Sequence, residues 1–561
     1  MNNKISKYID AENALHMRLL LLVVAALLFI PLIGAVHLFD WDEINFAESA
    51  REMLVTGNFL DVQINYIAFW EKPPLFFWLQ ALCMKIFGVN EFAARLPNAI
   101  IGIITLQVLF GIGKKLFNNK TALLWCLIYA GSILSFFYFK SGIIDPLFNL
   151  FIFLGVYHFY LFSNEAENNK THKALQQVFL SAVFIGLSNL TKGPVGFLIF
   201  AITAFIYMIL KKQYQKFLNY KVILTYAITF ALVGGLWFIM QMLTGNYSII
   251  ADFFYYMIEL SQSKVAGHGG FFGYHFVVLL FGVFPASIFA IQQMLPQQHN
   301  NHLTKSQQNF KVWMLILFWV VLILFTIVRT KIVHYSSMCY LPLSYLALLS
   351  IKSIITQKQV FKFWMKLALA IIALLFGTVI FLLPIIGNHT QWLIETNLIK
   401  DKFTLGNLQA QVSWPYIISI LALTYVVFSQ YFIWRKTNLL KHLASLFIST
   451  AIFLFFIMML VVPRIEQYSQ NAAISFYKSK TTEDCYIDTY GFKSYAHYFY
   501  AKMPLHSNPR AKDENWLLTG DTDKPVYIVT KINKQAKFEA AHLHFNLIKI
   551  KNGFCFYESK N

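Results

Sequence analysis

Charge is what this chain has least of. Asp, Glu, Lys and Arg make up 13% of its 561 residues, against about a quarter in a soluble domain. Acids are scarcer than bases, 27 against 46, for a formal net charge of +19. Cysteine is also rare: the five residues show no Cys-x-x-Cys spacing, so no zinc ribbon is written here. Internal repeats and low-complexity stretches are absent, which sets aside solenoids and biased tails. What fills the chain instead is apolar: 57% of residues are hydrophobic and mean hydropathy is +0.54. That composition belongs to a polytopic α-helical membrane protein. On a soluble protein the positive charge would suggest nucleic acid. Here Lys and Arg sit mainly in short loops between apolar runs, so the excess is a topology signal and no nucleic-acid partner is expected.

Apolar runs of about 17–22 residues recur, long enough to cross roughly 30 Å of hydrocarbon. They predict about 13 transmembrane helices, near 18–38, 97–113, 122–139, 144–162, 178–191, 194–210, 222–243, 276–294, 312–328, 335–351, 367–387, 414–433 and 443–462. The first run is long and lacks a small-residue cleavage site, so it reads as a span rather than a signal peptide. Alternate loops differ in charge. "GKKLFNNK", "KKQYQKFLNYK", "KSIITQKQVFKFWMK" and "RKTNLLKH" are the basic set, which places them and the N-terminus in the cytoplasm. An odd number of spans then puts the C-terminus on the periplasmic side of an inner membrane. The expected division is a transmembrane catalytic domain, 1–463, and a small soluble α/β domain, 464–561. The first carries a long outer loop, 37–96, and further outer loops at 244–275 and 388–413. In the second, "CYIDTYG" and "PVYIVTKI" read as strands, "KSYAHYFYA" and "KQAKFEAAH" as short helices, and "FNLIKIKNGFCFYES" as a hairpin turning at Asn552-Gly553. Cys485 and Cys555 fall on its strand-like segments, where a disulfide and two buried thiols are both open readings.

The outer loops hold the chemistry. "FDWDEINFAESAREMLVTGNF" has helical period, with Phe46, Ala47, Ala50, Met53 and Leu54 on one face and Asp42, Asn45, Ser49 and Glu52 on the other. It predicts an amphipathic helix at the membrane interface, with Asp40 and Glu43 at capping-box spacing and Gly57 as its stop. Asp42 and Glu43 either complement the helix dipole or supply catalytic carboxylates at a membrane edge. In "FWEKPPLFFWLQ", Pro73 and Pro74 suit the start of a helix, so Glu71 and Lys72 are held just before it. They are an ion pair that snorkels to water, or an ammonium for phosphate beside a carboxylate for a metal or hydroxyl. Arg95 lies near the mouth of the second span, as an interface anchor or a site residue. Lys72, Lys192, Arg329 and Lys331 all fall in outer loops or at span ends. Each alone reads as a lipid-headgroup anchor; together they suit an anionic leaving group. His268 lies in the Gly-rich "AGHGGFFGYH", either as a loop residue or as a metal ligand with Glu71. "DFFYYMIEL" reads as a lid over the site.

"DE" followed by "FAESAREML", then "FWEKPPLFFWLQALCMKIFGVNEFAARLP", resembles the first outer loop of the bacterial relatives of protein O-mannosyltransferases. The nearest resemblance is to the lipid A aminoarabinose transferases. "SGIIDP", "LTKGPVG", "GHGGFFGYH" and "RTKIVHYSS" follow in the same order, so the resemblance runs nearly the length of the chain. It implies the GT-C fold and an inverting glycosyltransferase at the outer face of the membrane. The donor would be a polyprenyl-phosphate sugar, and the acceptor a lipid A, another envelope glycan or a protein. By motif, Asp42 is implied as the catalytic carboxylate with Glu43 beside it, and Lys72 as the donor-phosphate lysine. Glu71 and His268 are implied as ligands of a divalent metal such as zinc, and Asp145, Lys192 and Tyr335 as polar groups lining the donor site.

Two departures stand out. Relatives commonly carry Arg and Tyr shortly after "DE", where this chain has Asn45 and Phe46, and "RTKIVHYSS" differs from the Lys-Leu-Pro-x-Tyr form of the lipid A enzymes. The first removes a phosphate cation and a hydroxyl, and so bears on the donor sugar or the phosphate geometry; the second points to a sibling subfamily with a different acceptor. The competing readings are a lipid or sugar transporter or flippase, and a non-catalytic envelope scaffold. A transporter usually keeps ionisable groups near the midplane and often shows repeats, whereas here acids and bases gather at span ends.

Overall fold

The structure is a computed structural model describing residues 2–69, 71–165, 171–262, 270–295, 303–396, 398–519 and 521–560. Among them, eight helices are long and apolar enough to cross a membrane, each following one of the apolar runs. A ninth span, Tyr220–Gly234 continued by Leu236–Leu243, bends by 57° at its break. The remaining four expected spans are shorter or interrupted. Ala14–Phe29 and Val195–Lys211 are short apolar helices. The run at 122–139 is divided into Asn119–Ala130 and Ile133–Tyr138, and the run at 276–294 into Tyr274–Gly282 and Ala286–Met294, with Pro285 as the cap of the latter.

Burial separates inner from outer helices. Val333–Ile355 is 89% buried within the protein, whereas Phe363–Gly387 and Ile417–Trp434 are 33% buried and present apolar side chains outward. With no hydrophobic drive between helices in lipid, close packing holds such a bundle together. At Gly113 and Gly186 a Cβ would come within 2.9 Å of a neighbouring helix, so those crossings need glycine.

One end of the bundle is capped by a four-stranded sheet. Tyr486–Tyr490 pairs parallel with Val526–Lys531, which pairs antiparallel with Phe554–Ser559, and Phe545–Lys551 forms the far edge. Asn552 and Gly553 turn that last hairpin with φ of 49° and 79°, the two positive angles of a type I′ turn. Cys485 and Cys555 are both buried and both free thiols, so the disulfide reading is set aside.

The first outer segment lies between bundle and sheet. Asp42–Thr56 is the expected helix, and Gly57 ends it in the left-handed region at φ 71°, donating to the Met53 carbonyl. Two expectations fail. Asp40 is not its cap: Trp41 is, without a side-chain bond. Nor does the helix lie on an interface, since every residue from Glu43 to Met53 is buried. Its apolar face packs into the bundle, where Phe46 meets Phe76 and Phe77. Its polar face is covered from the other side: Arg51 donates to the Met503 carbonyl at 2.9 Å, as does the Tyr66 hydroxyl at 2.7 Å. Tyr66 belongs to a tight hairpin, Gln63–Ile64 with Ile67–Ala68, whose turn residues Asn65 and Tyr66 both have positive φ. The helix Leu75–Phe87 then begins directly after Pro73 and Pro74 and stops at Gly88.

Candidate active site

Three chain segments meet at the end of the bundle that carries the sheet. Asp42 opens its helix, Asp145 is the first residue of Asp145–Glu165, and Lys192 is the last of Thr171–Lys192. Span ends can therefore hold charge that span interiors cannot. Lys192 Nζ donates to Asp145 Oδ1 at 2.6 Å. His334, from the short turn that enters Val333–Ile355, completes the group. Its Nε2 is 3.4 Å from Asp42 Oδ2 and 4.0 Å from Asp145 Oδ2. Of these side chains Asp42 is the open one, 32% exposed against 3% for Asp145. Among the described residues no donor reaches Asp145 Oδ2.

Lys72 points into the same electrostatic neighbourhood. Burial lowers its pKa; Glu71, Asp42 and Asp145 pull it up, and the Lys192 charge pushes it further down. Its ammonium donates to the Glu71 carbonyl at 3.0 Å and stands 5.8 Å from the Tyr256 ring. Tyr256 comes from Tyr247–Gln262, the segment read as a lid. Burial and the facing Glu71 carboxylate raise its phenol pKa. Lys192 lies 5.6 Å from the Tyr335 ring. Lys72, Lys192, Asp42, Asp145 and Tyr335 are thus gathered as the motifs implied, and two residues join them that the motifs did not single out. His334 is the neighbour of Tyr335 in "RTKIVHYSS", and Tyr256 lies three residues, about one turn, after Phe253 in its helix.

Other candidates are placed elsewhere. Glu43 is one residue from Asp42 yet turned into the protein. Both of its oxygens accept from the Arg95 guanidinium, at 3.0 and 2.7 Å, and from the backbone N–H groups of Gly142 and Phe39. Burial pushes its pKa up, but Arg95 and the amides outweigh that and hold it below the usual value. A carboxylate with its acceptor sites filled is a strut, not a second catalytic group. Arg95 also ties down the carbonyls of Ile33, Val36 and His37, so it anchors the entry to the loop. Lys331 spends its three N–H donors on the carbonyls of Phe325, Thr326 and Val328. It caps the helix Lys305–Ile327 and has no donor left for a phosphate. Arg329 is exposed just past the end of that helix.

Of the two expected metal ligands, Glu71 has Lys72 and Tyr256 for neighbours, and His268 lies outside the described residues. Among the described residues no three His, Cys, Asp or Glu side chains converge as metal ligands.

The departure at Asn45 and Phe46 acquires a local reason. The Asn45 amide, oriented to satisfy both ends, donates to the Trp41 carbonyl at 3.0 Å and accepts from its indole N–H at 2.8 Å. It therefore fixes the residue before Asp42. Phe46 lies in the core, where a phenol would lose its water.

Residues 71–238 match the family model for dolichyl-phosphate-mannose-protein mannosyltransferase. An uncharacterized protein of Aquifex aeolicus is 30% identical over 40% of this chain and 44% of its own length. The undecaprenyl phosphate-alpha-4-amino-4-deoxy-L-arabinose arabinosyl transferase of Wigglesworthia glossinidia brevipalpis is 24% identical over 62% of this chain and 59% of its own length. The chain thus spans about half the length of these curated relatives. The fold is matched far more fully. The crystal structure of ArnT from Cupriavidus metallidurans bound to undecaprenyl phosphate covers 96% of this chain and 97% of its own, with a TM-score of 0.73 at 14% identity. Its apo state gives 0.74 at 15%.

Proposed function

From the premise that this chain is a GT-C-fold relative of the lipid A aminoarabinose transferases, we propose that it is an inverting glycosyltransferase. It would move a sugar from a polyprenyl-phosphate donor to an envelope acceptor, working at the periplasmic face of a bacterial inner membrane with its N-terminus in the cytoplasm. The observation that carries the reading is the meeting of Asp42, His334, Asp145, Lys192 and Lys72 at one mouth of an apolar bundle. A lipid-phosphate donor needs that combination: apolar surface for its tail, cations for its phosphate and an open carboxylate beside the sugar.

The reaction follows from the charges. The acceptor oxygen attacks C1 of the sugar while the C1–O bond to phosphate breaks, and the polyprenyl phosphate departs with the bonding pair. Lys72 stabilises that charge, and it regains in the phosphate the partner that burial has denied it. Lys192, half-neutralised by Asp145, contributes less. Asp42 takes the acceptor hydroxyl proton. His334 holds the carboxylate in register. Attack opposite the leaving group inverts C1. An acceptor that is already a phosphate monoanion leaves Asp42 only the task of orientation. No step is routed through a metal. The charged groups sit at span ends rather than at midplane, which favours surface chemistry over transport.

The test is binding of undecaprenyl phosphate to the purified full-length protein in nanodiscs. Wild type binds, and Lys72→Ala weakens binding about 10- to 100-fold, the loss expected for a charge-assisted contact. No binding by wild type, or equal binding by both proteins, contradicts the donor assignment.

A further inference from the structure

A second cleft lies beside the site, between the hairpin Gln63–Ala68 and the sheet domain. It holds about 220 Å³, below the ~300–1,000 Å³ of a drug-sized site, and so suits a compact ring rather than an acyl chain. Tyr486, Tyr495 and Tyr498 line it, with Asp488 and Glu514 among them and Asn65 at the hairpin tip.

One buried polar atom in this cleft lacks a partner among the described residues: Nε2 of His506, whose ring packs on Tyr486 at 4.7 Å. Asp488 is only 8% exposed, and its Oδ1 accepts from the Thr489 N–H at 2.7 Å. Burial, with Glu514 adding to it, raises the Asp488 pKa to about 7. Buried polar atoms are rarely left unpaired without a use.

The cleft also packs against the chain that leads into the active site. Tyr495 lies 5.1 Å from Trp41, the neighbour of Asp42, and 6.4 Å from Phe69, two residues before Glu71.

We propose that this cleft binds the saccharide of the acceptor, with tyrosine rings against the apolar ring faces and Asp488, Glu514 and His506 taking the hydroxyls. Aromatic faces and carboxylates together recognise a group that is apolar on its flats and a hydrogen-bond donor at its rim. A sugar ring has both; a lipid tail has neither donor. Its position beyond Trp41 lets the acceptor reach Asp42 from the sheet side while the donor lies along the bundle. The proposal rests on the transferase reading and adds the acceptor class and its residues.

The probe is the oligosaccharide pool released by mild acid from envelope lipids of a strain lacking the gene, which are the unmodified acceptors. Ligand-observed NMR on the full-length protein in nanodiscs reads its binding, and undecaprenyl phosphate binding is read in parallel. Wild type binds the saccharides. Glu514→Gln, an exposed and therefore safe change, and Asp488→Asn each weaken that binding about tenfold with undecaprenyl phosphate binding unchanged. If undecaprenyl phosphate binds and the saccharides do not, or if both variants bind saccharides like wild type, the cleft assignment falls alone. If serine- or threonine-containing peptides bind in their place, the acceptor is a protein and the assignment falls as well. If wild type binds no undecaprenyl phosphate, the donor reading falls first and takes this inference with it.

Discussion

His334 places its Nε2 3.4 Å from the Asp42 carboxylate and 4.0 Å from that of Asp145. One imidazole thereby spans the most open acid of the site and one of its most buried. The two acids come from different segments, so the ring also locks the outer helix Asp42–Thr56 to the mouth of the bundle. A side chain in that position orients the base rather than touching substrate.

His334→Ala should therefore lower turnover about tenfold or more, about 1.4 kcal/mol of barrier, while undecaprenyl phosphate binding changes little. His334→Gln, which keeps a donor, should recover part of the loss. Steady-state transfer assays resolving kcat from KM check this. A rise in KM with kcat unchanged would assign His334 to binding.

Lys72 gives a pH prediction. Burial lowers its pKa from the ordinary lysine value of 10.5, so the ammonium is lost at lower pH than in water. Phosphate binding needs the charged form and is itself linked to proton uptake. Undecaprenyl phosphate affinity should fall as pH rises, with a midpoint below 10.5, and Lys72→Arg should hold it flat over the same range. A wild-type curve that stays level to the ordinary lysine value would contradict the placement.

Glu43 and Arg95 should behave as structure, not catalysis. Arg95→Ala leaves a fully enclosed carboxylate without its cation, at a cost of about 3–5 kcal/mol. Loss of folded protein from the membrane, or a lowered melting temperature, is the readout. Asp42→Asn, at a partly open position, should leave the melting temperature unchanged. Equal destabilisation by both would erase the distinction drawn between neighbouring acids.

Glu52 carries a stability switch in the outer segment. Its Oε2 accepts from the Tyr66 N–H at 2.8 Å, while Oε1 is buried and finds no donor. Burial, and after it repulsion from Glu48, raises its pKa from 4.5 to about 9. A raised folded-state pKa means the folded form holds the proton more tightly than the unfolded chain. This contribution is therefore fullest below pH 4.5 and fades as pH climbs toward 9. Thermal unfolding scans should show wild type losing stability across that window. Glu52→Gln, which keeps a permanent donor toward Glu48, should flatten the curve. A wild-type profile already flat would contradict the buried-proton account.

How much of this is written locally decides what could be read early. Spans are recorded in composition, so each apolar run became a helix or a broken pair, and the strands of the sheet domain follow period and turn chemistry. Neighbours on one helix are harder. Asp42 and Glu43 differ by about 100° of rotation, and only the partners say which faces the mouth. Glu43 looks inward because Arg95, in another helix, is there to meet it. The buried polar face of Asp42–Thr56 has the same cause, since its cover comes from Met503, 452 residues along the chain from Arg51. Lys331 looked like a phosphate cation because outer-loop lysines look alike; its three carbonyl partners exist only once the helix ends beside it. His334 was hidden next to Tyr335, its function visible only when Asp42 and Asp145 stand on either side. Asn45 shows the reverse: a departure from the relatives' pattern that a pair of hydrogen bonds to Trp41 accounts for.

The central claim is that Asp42 performs chemistry on an envelope acceptor. Mass spectrometry of lipid A and other envelope glycans from a deletion strain tests it most directly, with wild type or Asp42→Asn supplied back. The account predicts that one glycan mass vanishes on deletion and that wild type alone restores it, the mass difference naming the sugar. Asp42→Asn should restore less by about 10²–10⁴-fold at equal protein level. Full restoration by both proteins would contradict the account.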